Sequence, residues 1–450
     1  MLDAPAAYAR RRAGIPAQTR PGRPWWKRLL TSKWLWITLI AVVVYAGALL
    51  VMYLMMSPDR ELPNGEIAYG LNDQALRKSA FWAMWTLLAW VVVFVWLDRF
   101  RPQRPLIWFL TLGWGACMST FFSLYVNSWA AEMMSVQGVN PSAGAGPAIF
   151  IAPFIEEATK ATVLFLLAIG VRYQLISRLN LVALAGLSAA GFAFTENIIY
   201  YARTYVYASR VIEAGDPDAY LRSIVWMRGV QTAFAHPLFT AMTAVGVAVA
   251  LRTRSKIVRV VAPLAGFGAA AGLHMAFNGT VSTTPEDKLL WPYISALVLL
   301  ASFVALMLLT VVNESRTIRA RLTDFVRMGW LEPRDPIVFS GPFKRVKLTF
   351  AAMLRGWRTF RDTLALMRLL TELAYLRDAT NRGTVHSPAV EREKEILYAV
   401  RELRPTALTD TAGLKLVPPR RPRRARLDAP PPAYPGPAGL GGNWPAPDQR

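Results

Sequence analysis

The chain has 450 residues, of which 54% are hydrophobic and only 18% charged, with a formal net charge of +22 and a single cysteine. Soluble domains are nearer a quarter charged, so the composition excludes an ordinary soluble multidomain protein, and one thiol, Cys117, excludes an intrachain disulfide. The positive charge is no sign of a nucleic-acid partner. It is gathered in short loops between apolar runs and in a C-terminal tail, a distribution suited to an anionic membrane leaflet.

A basic segment, residues 1–33, opens the chain with Arg10, Arg11, Arg12, Arg20, Arg23, Lys27, Arg28 and Lys33. Eight apolar segments follow, near 34–56, 80–97, 106–126, 148–170, 180–201, 230–251, 258–281 and 290–312. Each is long enough to cross about 30 Å of hydrocarbon, which takes about 20 residues. The first is too long for a cleaved leader and is followed by no small-residue cleavage site. Alternate loops carry Arg99 and Arg104, then Arg172 and Arg178, then Arg252, Arg254, Lys256 and Arg259, whereas the loops between them are longer and mixed or acidic. This is the positive-inside pattern, with both termini in the cytoplasm. The predicted fold class is all-α: a polytopic membrane helix bundle of about eight transmembrane helices, residues 34–313, with a basic helical cytoplasmic tail.

Within the tail, residues 314–415 read as helical and amphipathic. Lys344, Arg345, Lys347, Arg355 and Arg358 lie among Phe343, Leu348, Phe350, Leu354 and Trp357, and Leu366, Leu369, Leu373 and Leu376 recur at helical spacing. Two arrangements suit this pattern: a small packed helical domain, or a helix lying on the membrane and binding anionic lipid. Residues 416–450 are rich in Pro, Gly and Arg, cannot bury a core, and read as disordered.

The fourth segment contains "FIEEATK", which places Glu156, Glu157 and Lys160 inside a membrane span. An ionised side chain at the centre of a membrane helix costs roughly 2.5–3.5 kcal/mol on insertion scales. Lys160 lies four and three residues after the two glutamates, so a structural pairing along the helix answers part of that cost. Other helices add to the set: Glu196 and Asn197 in the fifth segment, His236 in the sixth, and His274 with Asn278 in the seventh. Counted from the segment ends, all of them fall within about 4–12 Å of the outer boundary at 1.5 Å per residue. Independent structural pairs need no shared depth. The fifth and seventh segments are also dense in Gly, Ala and Ser, which lets membrane helices approach until polar groups touch.

Carboxylates and imidazoles in one water-reachable layer point to hydrolysis, with a glutamate as general base on water and His274 with Asn278, one turn apart, as oxyanion donors. No serine or cysteine stands out as a nucleophile beside them. The same group types also make proton or ion relays in transporters, and an inactive scaffold that binds membrane helices keeps the same residues. A transport path, however, has polar groups reaching both faces, often within inverted repeats, and neither is seen.

"EEATK" at 156–160 resembles the E-E-x-x-K motif of the PrsW family of intramembrane proteases, and "FAFTEN" at 192–197 resembles its F-x-x-x-E-N motif. His236 with "PLFTAMTAVG" and "HMAFN" at 274–278 resemble its third and fourth motifs. The likeness covers a motif core of roughly 150–280. That family is similar in turn to CAAX-type prenyl-protein proteases. The resemblance implies an endopeptidase cleaving membrane proteins near the extracytoplasmic face, in some bacteria a single-pass anti-sigma factor. It also implies a metalloprotease. Zn²⁺ commonly takes three protein ligands, which here are His236, His274 and either Glu157 or Glu196, with Glu156 as base. The CAAX-like similarity equally allows a metal-free version in which glutamate activates water.

Overall fold

The computed structural model describes residues 25–61, 67–100, 103–136, 146–170, 175, 177–210, 215–383 and 388–410. Residues 416–450, expected to be disordered, and most of the basic N-terminal segment lie outside these. The described chain is helical apart from one two-residue antiparallel hairpin, β1 (Arg60–Glu61) with β2 (Ile67–Ala68). Among the described residues seven helices are long and apolar enough to cross a membrane. The eighth expected span is a continuous helix, a π-helical turn at Pro147–Ile151 followed by Ala152–Gly170, which carries the three charges noted above.

We name the spans α1 (Lys33–Met56), α2 (Asp73–Leu97), α3 (Pro105–Gly113 and Thr120–Val136, joined by a π-helical stretch at Trp114–Ser119), α4 (Ala152–Gly170 with its π turn) and α5 (Arg178–Arg210). A short α6 (Pro217–Trp226) leads through a π turn at Met227–Gln231 into α7 (Ala235–Arg252), and α8 (Lys256–Thr283) and α9 (Leu290–Arg327) complete the set. Local chemistry starts several of them. The Asn72 side chain accepts from the Ala75 amide at the head of α2, Asp216 from Asp218 at α6, and Ser255 from Val258 at α8. Pro105 supplies a preset first turn to α3.

Helix α5 is the axis. Its most apolar window is 83% buried, against 17% for α1 and α2, which turn Val and Trp side chains outward as a lipid-facing shell would. Small residues make this centrality possible. A Cβ at Gly191 of α5 would strike the Leu112 carbonyl of α3, and one at Gly115 of α3 would strike the Ser188 carbonyl of α5. The π-helical stretch of α3 sits at this contact and presents the Ala116 carbonyl to the Thr195 hydroxyl, which donates at 2.7 Å.

The boundary expected between 313 and 314 falls inside α9. Apolarity ends there, but Glu314, Ile318, Leu322 and Phe325 keep one buried stripe at helical spacing, so the helix runs on for roughly 57 Å. Four further helices follow: α10 (Asp335–Ser340) and α12 (Trp357–Asn381) pack on that extension, and α11 (Pro342–Leu354) and α13 (Pro388–Leu403) pack on α12. Their core, with Leu348, Leu366, Leu370 and Leu373, is continuous with that of α5 and α9. Of the two arrangements weighed for the tail, the packed helical domain forms.

Three joints tie this domain to one face of the bundle, the face that carries the arginine-rich loops. Glu314 accepts from the Ser177 hydroxyl at 2.6 Å and from the Arg178 amide at 2.8 Å, capping the start of α5, and from the Tyr375 hydroxyl at 2.7 Å. Burial and the neighbouring Glu314 carboxylate hold the Tyr375 phenol well above its usual range, so it donates. Arg345 donates to the Phe100 carbonyl beyond the end of α2 at 2.8 Å and to the Thr371 hydroxyl at 2.7 Å. Burial pushes its guanidinium down to about 10, which leaves it charged at neutral pH. Arg382 donates to the Arg252 carbonyl at the end of α7 at 3.3 Å.

Candidate active site

The polar residues of α4, α5, α7 and α8 meet in one cluster. Lys160 is its buried centre, with Nζ 2.9 Å from Glu157 Oε1, 3.3 Å from Glu156 Oε2 and 3.0 Å from His236 Nδ1. Its ammonium also lies 3.9 Å above the ring centroid of Phe192. An ammonium has only hydrogens to offer, so His236 Nδ1 accepts. His236 Nε2 then carries the proton and donates to Glu196 Oε2 at 3.0 Å. His274 Nδ1 donates to Glu157 Oε1 at 3.1 Å, which turns its Nε2 toward Glu156 Oε2, 3.9 Å away. The two imidazole rings meet edge to face, 5.2 Å apart.

The two adjacent glutamates have different surroundings. Glu157 is fully buried, and its second oxygen accepts from the Thr240 hydroxyl at 2.7 Å. Glu156 lines a cavity of about 360 Å³ together with Glu196, His236, His274, Asn278 and Arg228. Neither Glu157 nor Lys160 lines it. This separation follows from the helix, because consecutive residues point about 100° apart. The cavity opens among the ends of α3, α4 and α5 farthest from the arginine-rich loops, with Asn127, Pro147 and Arg203 at its walls.

Asn278 donates to the Ala148 carbonyl in the π turn of α4 at 3.0 Å. That turn leaves the carbonyl without its regular helical partner, and the amide fills the gap. Asn278 keeps a second amide hydrogen for a ligand. Asn197 accepts from Arg228 Nε at 3.0 Å, and Arg228 Nη2 donates to Glu196 at 2.6 Å, its guanidinium 4.0 Å above the Tyr200 ring.

Sequence reasoning assembled Glu156, Glu157, Lys160, Glu196, His236, His274 and Asn278, and all seven fall in or around this cluster. It missed Arg228, which sits just before the segment expected at 230–251. An arginine bordering an apolar run, eight residues before His236, was the available signal. It also missed Thr240, one turn after His236, and Phe192, although "FAFTEN" begins with it.

Glutamate, histidine and zinc chemistry can be tested against this arrangement. Metal-bound histidines nearly always donate their other ring N–H to a carboxylate or carbonyl. Here His274 does so to Glu157, leaving its Nε2 open, and His236 to Glu196, leaving Nδ1, which the Lys160 ammonium would have to release for a metal. Glu156, His236 and His274 each offer a ligand atom within 4.8 Å of the others. Counted as ionised, the carboxylates of Glu156, Glu157 and Glu196 exceed the cations of Lys160 and Arg228 by one, and a proton or a metal ion balances that charge. The donor set therefore fits a divalent metal. It differs from the expected ligand choice, because Glu157 and Glu196 are occupied in holding the histidines and Glu156 is the carboxylate nearest the open Nε2 of His274.

Residues 102–310, just under half of the chain, match the family model described as PrsW family intramembrane metalloprotease. No curated protein and no solved structure matches the chain. The matched stretch contains every member of the cluster, from Glu156 to Asn278, and leaves out α1, α2 and the helices after α9. Through that stretch the chain is similar to the PrsW family of intramembrane metalloproteases.

Proposed function

We propose that the protein is an endopeptidase of the bacterial cytoplasmic membrane that hydrolyses peptide bonds of membrane-protein substrates near the extracytoplasmic face. The observation that carries this reading is the convergence of Glu156, His236 and His274 on one cavity, each histidine fixed by a carboxylate behind it. The arginine-rich loops support one orientation. They belong in the cytoplasm, with both termini, which turns the cavity outward.

Glu156, His236 and His274 would hold a divalent cation, Zn²⁺ by preference, which when bound polarises a carbonyl and activates water. The residues do the rest. The oxygen of Glu156 not engaged in that donor set takes the proton of the attacking water as its oxygen bonds to the scissile carbon. It returns the proton to the amide nitrogen as the C–N bond breaks. The free amide hydrogen of Asn278 meets the developing oxyanion. Glu157 and Glu196 fix the histidine tautomers, Lys160 balances Glu157, and Arg228 holds Glu196 and Asn197 in place. A single-pass membrane protein of the anti-sigma type fits as substrate, because its span can approach from the lipid and present the juxtamembrane bond at this depth.

The deciding experiment co-expresses tagged single-pass membrane proteins with wild type or Glu156→Gln. Cleavage on the extracytoplasmic side by wild type alone is expected, and equal cleavage by both would end the proposal. Purified wild type should hold about one zinc per chain and lose activity to a strong chelator; a fully active metal-free preparation would leave only the glutamate version. For orientation, Ser223→Cys on exposed α6, in a Cys117→Ser background, should react with an impermeant maleimide in intact cells. Reaction only after permeabilisation would place the cavity on the wrong side.

A further inference from the structure

The helices after α9 hide their large apolar side chains well, with one exception. Among the described residues beyond 313, the exposed large hydrophobics are Ile337, Phe343, Val346, Phe350, Met353, Leu354, Trp357 and Tyr398. All but Tyr398 fall within 337–357, and Phe343 and Trp357 are 84% and 76% exposed. A soluble domain of this size rarely leaves such a cluster open without a partner.

The cluster is one helix face. In α11, Phe343, Val346, Phe350, Met353 and Leu354 follow the spacing of a single stripe about 100° wide. The opposite side of α11, with Arg345, Leu348, Ala351 and Ala352, is buried against the domain. Lys347 is exposed at the edge of the apolar stripe, and Lys344 is exposed in the first turn of the same helix. Gly356, at φ 107°, turns the chain at the end of α11, and Trp357 and Arg358, both exposed, extend the same mixture of aromatic and basic groups onto α12.

The position of the face names its occupant. Arg345, on the buried side of α11, donates to the carbonyls of Arg99 at 3.4 Å and Phe100 at 2.8 Å. These residues directly follow α2, whose apolar run ends at Leu97. The helix is therefore held at the level where the bundle leaves the hydrocarbon, on the arginine-rich side. An amphipathic helix at that level, with an apolar stripe and lysines beside it, has the composition of an interfacial anchor.

We propose that α11, with Trp357 and Arg358, is a membrane-interface anchor that beds its apolar face into the leaflet beside the bundle and binds anionic phospholipid headgroups through Lys344, Lys347 and Arg358. The packed domain and the surface helix are then one structure, since the inner side of α11 builds the domain and its outer side meets the lipid. An acidic headgroup compensates the lysines at a distance where their stems still cover apolar surface.

The full-length protein, with Cys117→Ser and one bimane-labelled cysteine at Val346, Phe350 or Glu402, is placed in nanodiscs of phosphatidylcholine carrying nitroxide-labelled acyl chains. Phosphatidylglycerol is present or absent. Glu402 is exposed on α13, away from the stripe. The labels at 346 and 350 should be quenched and the label at 402 should not. Adding phosphatidylglycerol should deepen the quenching, and salt should reverse that gain. Each of Lys344→Gln and Lys347→Gln should cut the anionic-lipid gain about fivefold. Quenching at 346 and 350 no greater than at 402 overturns the anchor. Quenching identical with and without phosphatidylglycerol overturns the anionic preference. A label at 346 that is shielded from water, untouched by lipid nitroxide and able to cross-link between chains would assign the face to a second copy and overturn the proposal.

Discussion

Two places in this molecule bury carboxylates among partners, and they differ in what is left over. At the arginine-rich end, Glu314 receives the Ser177 hydroxyl, the Arg178 amide and the Tyr375 hydroxyl, and it lines no described cavity. Toward the opposite end of the bundle, Glu156 receives one long bond from Lys160, at 3.3 Å, and faces a cavity into which two histidines also point. A buried charge with every lone pair filled builds structure. A buried charge with capacity left over, turned toward open space, can do chemistry. The contrast also runs within the cluster itself, since Glu157, adjacent in sequence, is filled on both oxygens and turned away from the cavity.

The comparison breaks or sharpens most at Glu156. Glu156→Gln should lower the cleavage rate by up to about 10⁴-fold, the upper range for a general base, while the thermal unfolding temperature in detergent stays within a few degrees. A loss of activity matched by a loss of fold would put Glu156 in the same class as Glu314. Next in size, Asn278→Ala should cost about 10²-fold in rate, as for one oxyanion donor, measured as kcat on a fluorogenic substrate. Unchanged kcat would confine Asn278 to its bond with Ala148. Glu314→Gln should do the reverse of Glu156→Gln. It removes a charged acceptor from several donors, so stability should fall by about 2 kcal/mol, read from denaturant or thermal unfolding, while the folded fraction cleaves at the wild-type rate. Smallest is Thr240→Val, which deletes one hydrogen bond to Glu157 and should destabilise by about 1 kcal/mol with a modest loss of rate.

Much of this was legible in the sequence because the membrane makes charge conspicuous. Glu156, Glu157, Lys160, Glu196, His236 and His274 stood out against apolar helices, and residue counting from the segment ends placed the glutamates and histidines at one depth. Which glutamate faces the cavity was not legible, because neighbours on a helix differ only in direction, and direction depends on how α4 packs against α7 and α8. Arg228 escaped because a π turn carries it into the cluster from beyond the apolar run, and such turns leave no clear mark in composition. The tail posed a different difficulty. A helix with one face in a core and the other in lipid satisfies two patterns at once, so periodicity alone did not choose between them.

The cap that Glu314 places on α5 has a consequence for biosynthesis. The amide of Arg178 and its partner carboxylate are 136 residues apart in the chain. At about 5–20 residues per second, the central helix of the bundle waits on the order of ten seconds for the group that finishes its first turn. The helix bearing Glu196 and Asn197 is complete only when the last span and the start of the tail have left the ribosome. The cavity residues, complete at Asn278, are thus made before the far end of the central helix is fastened.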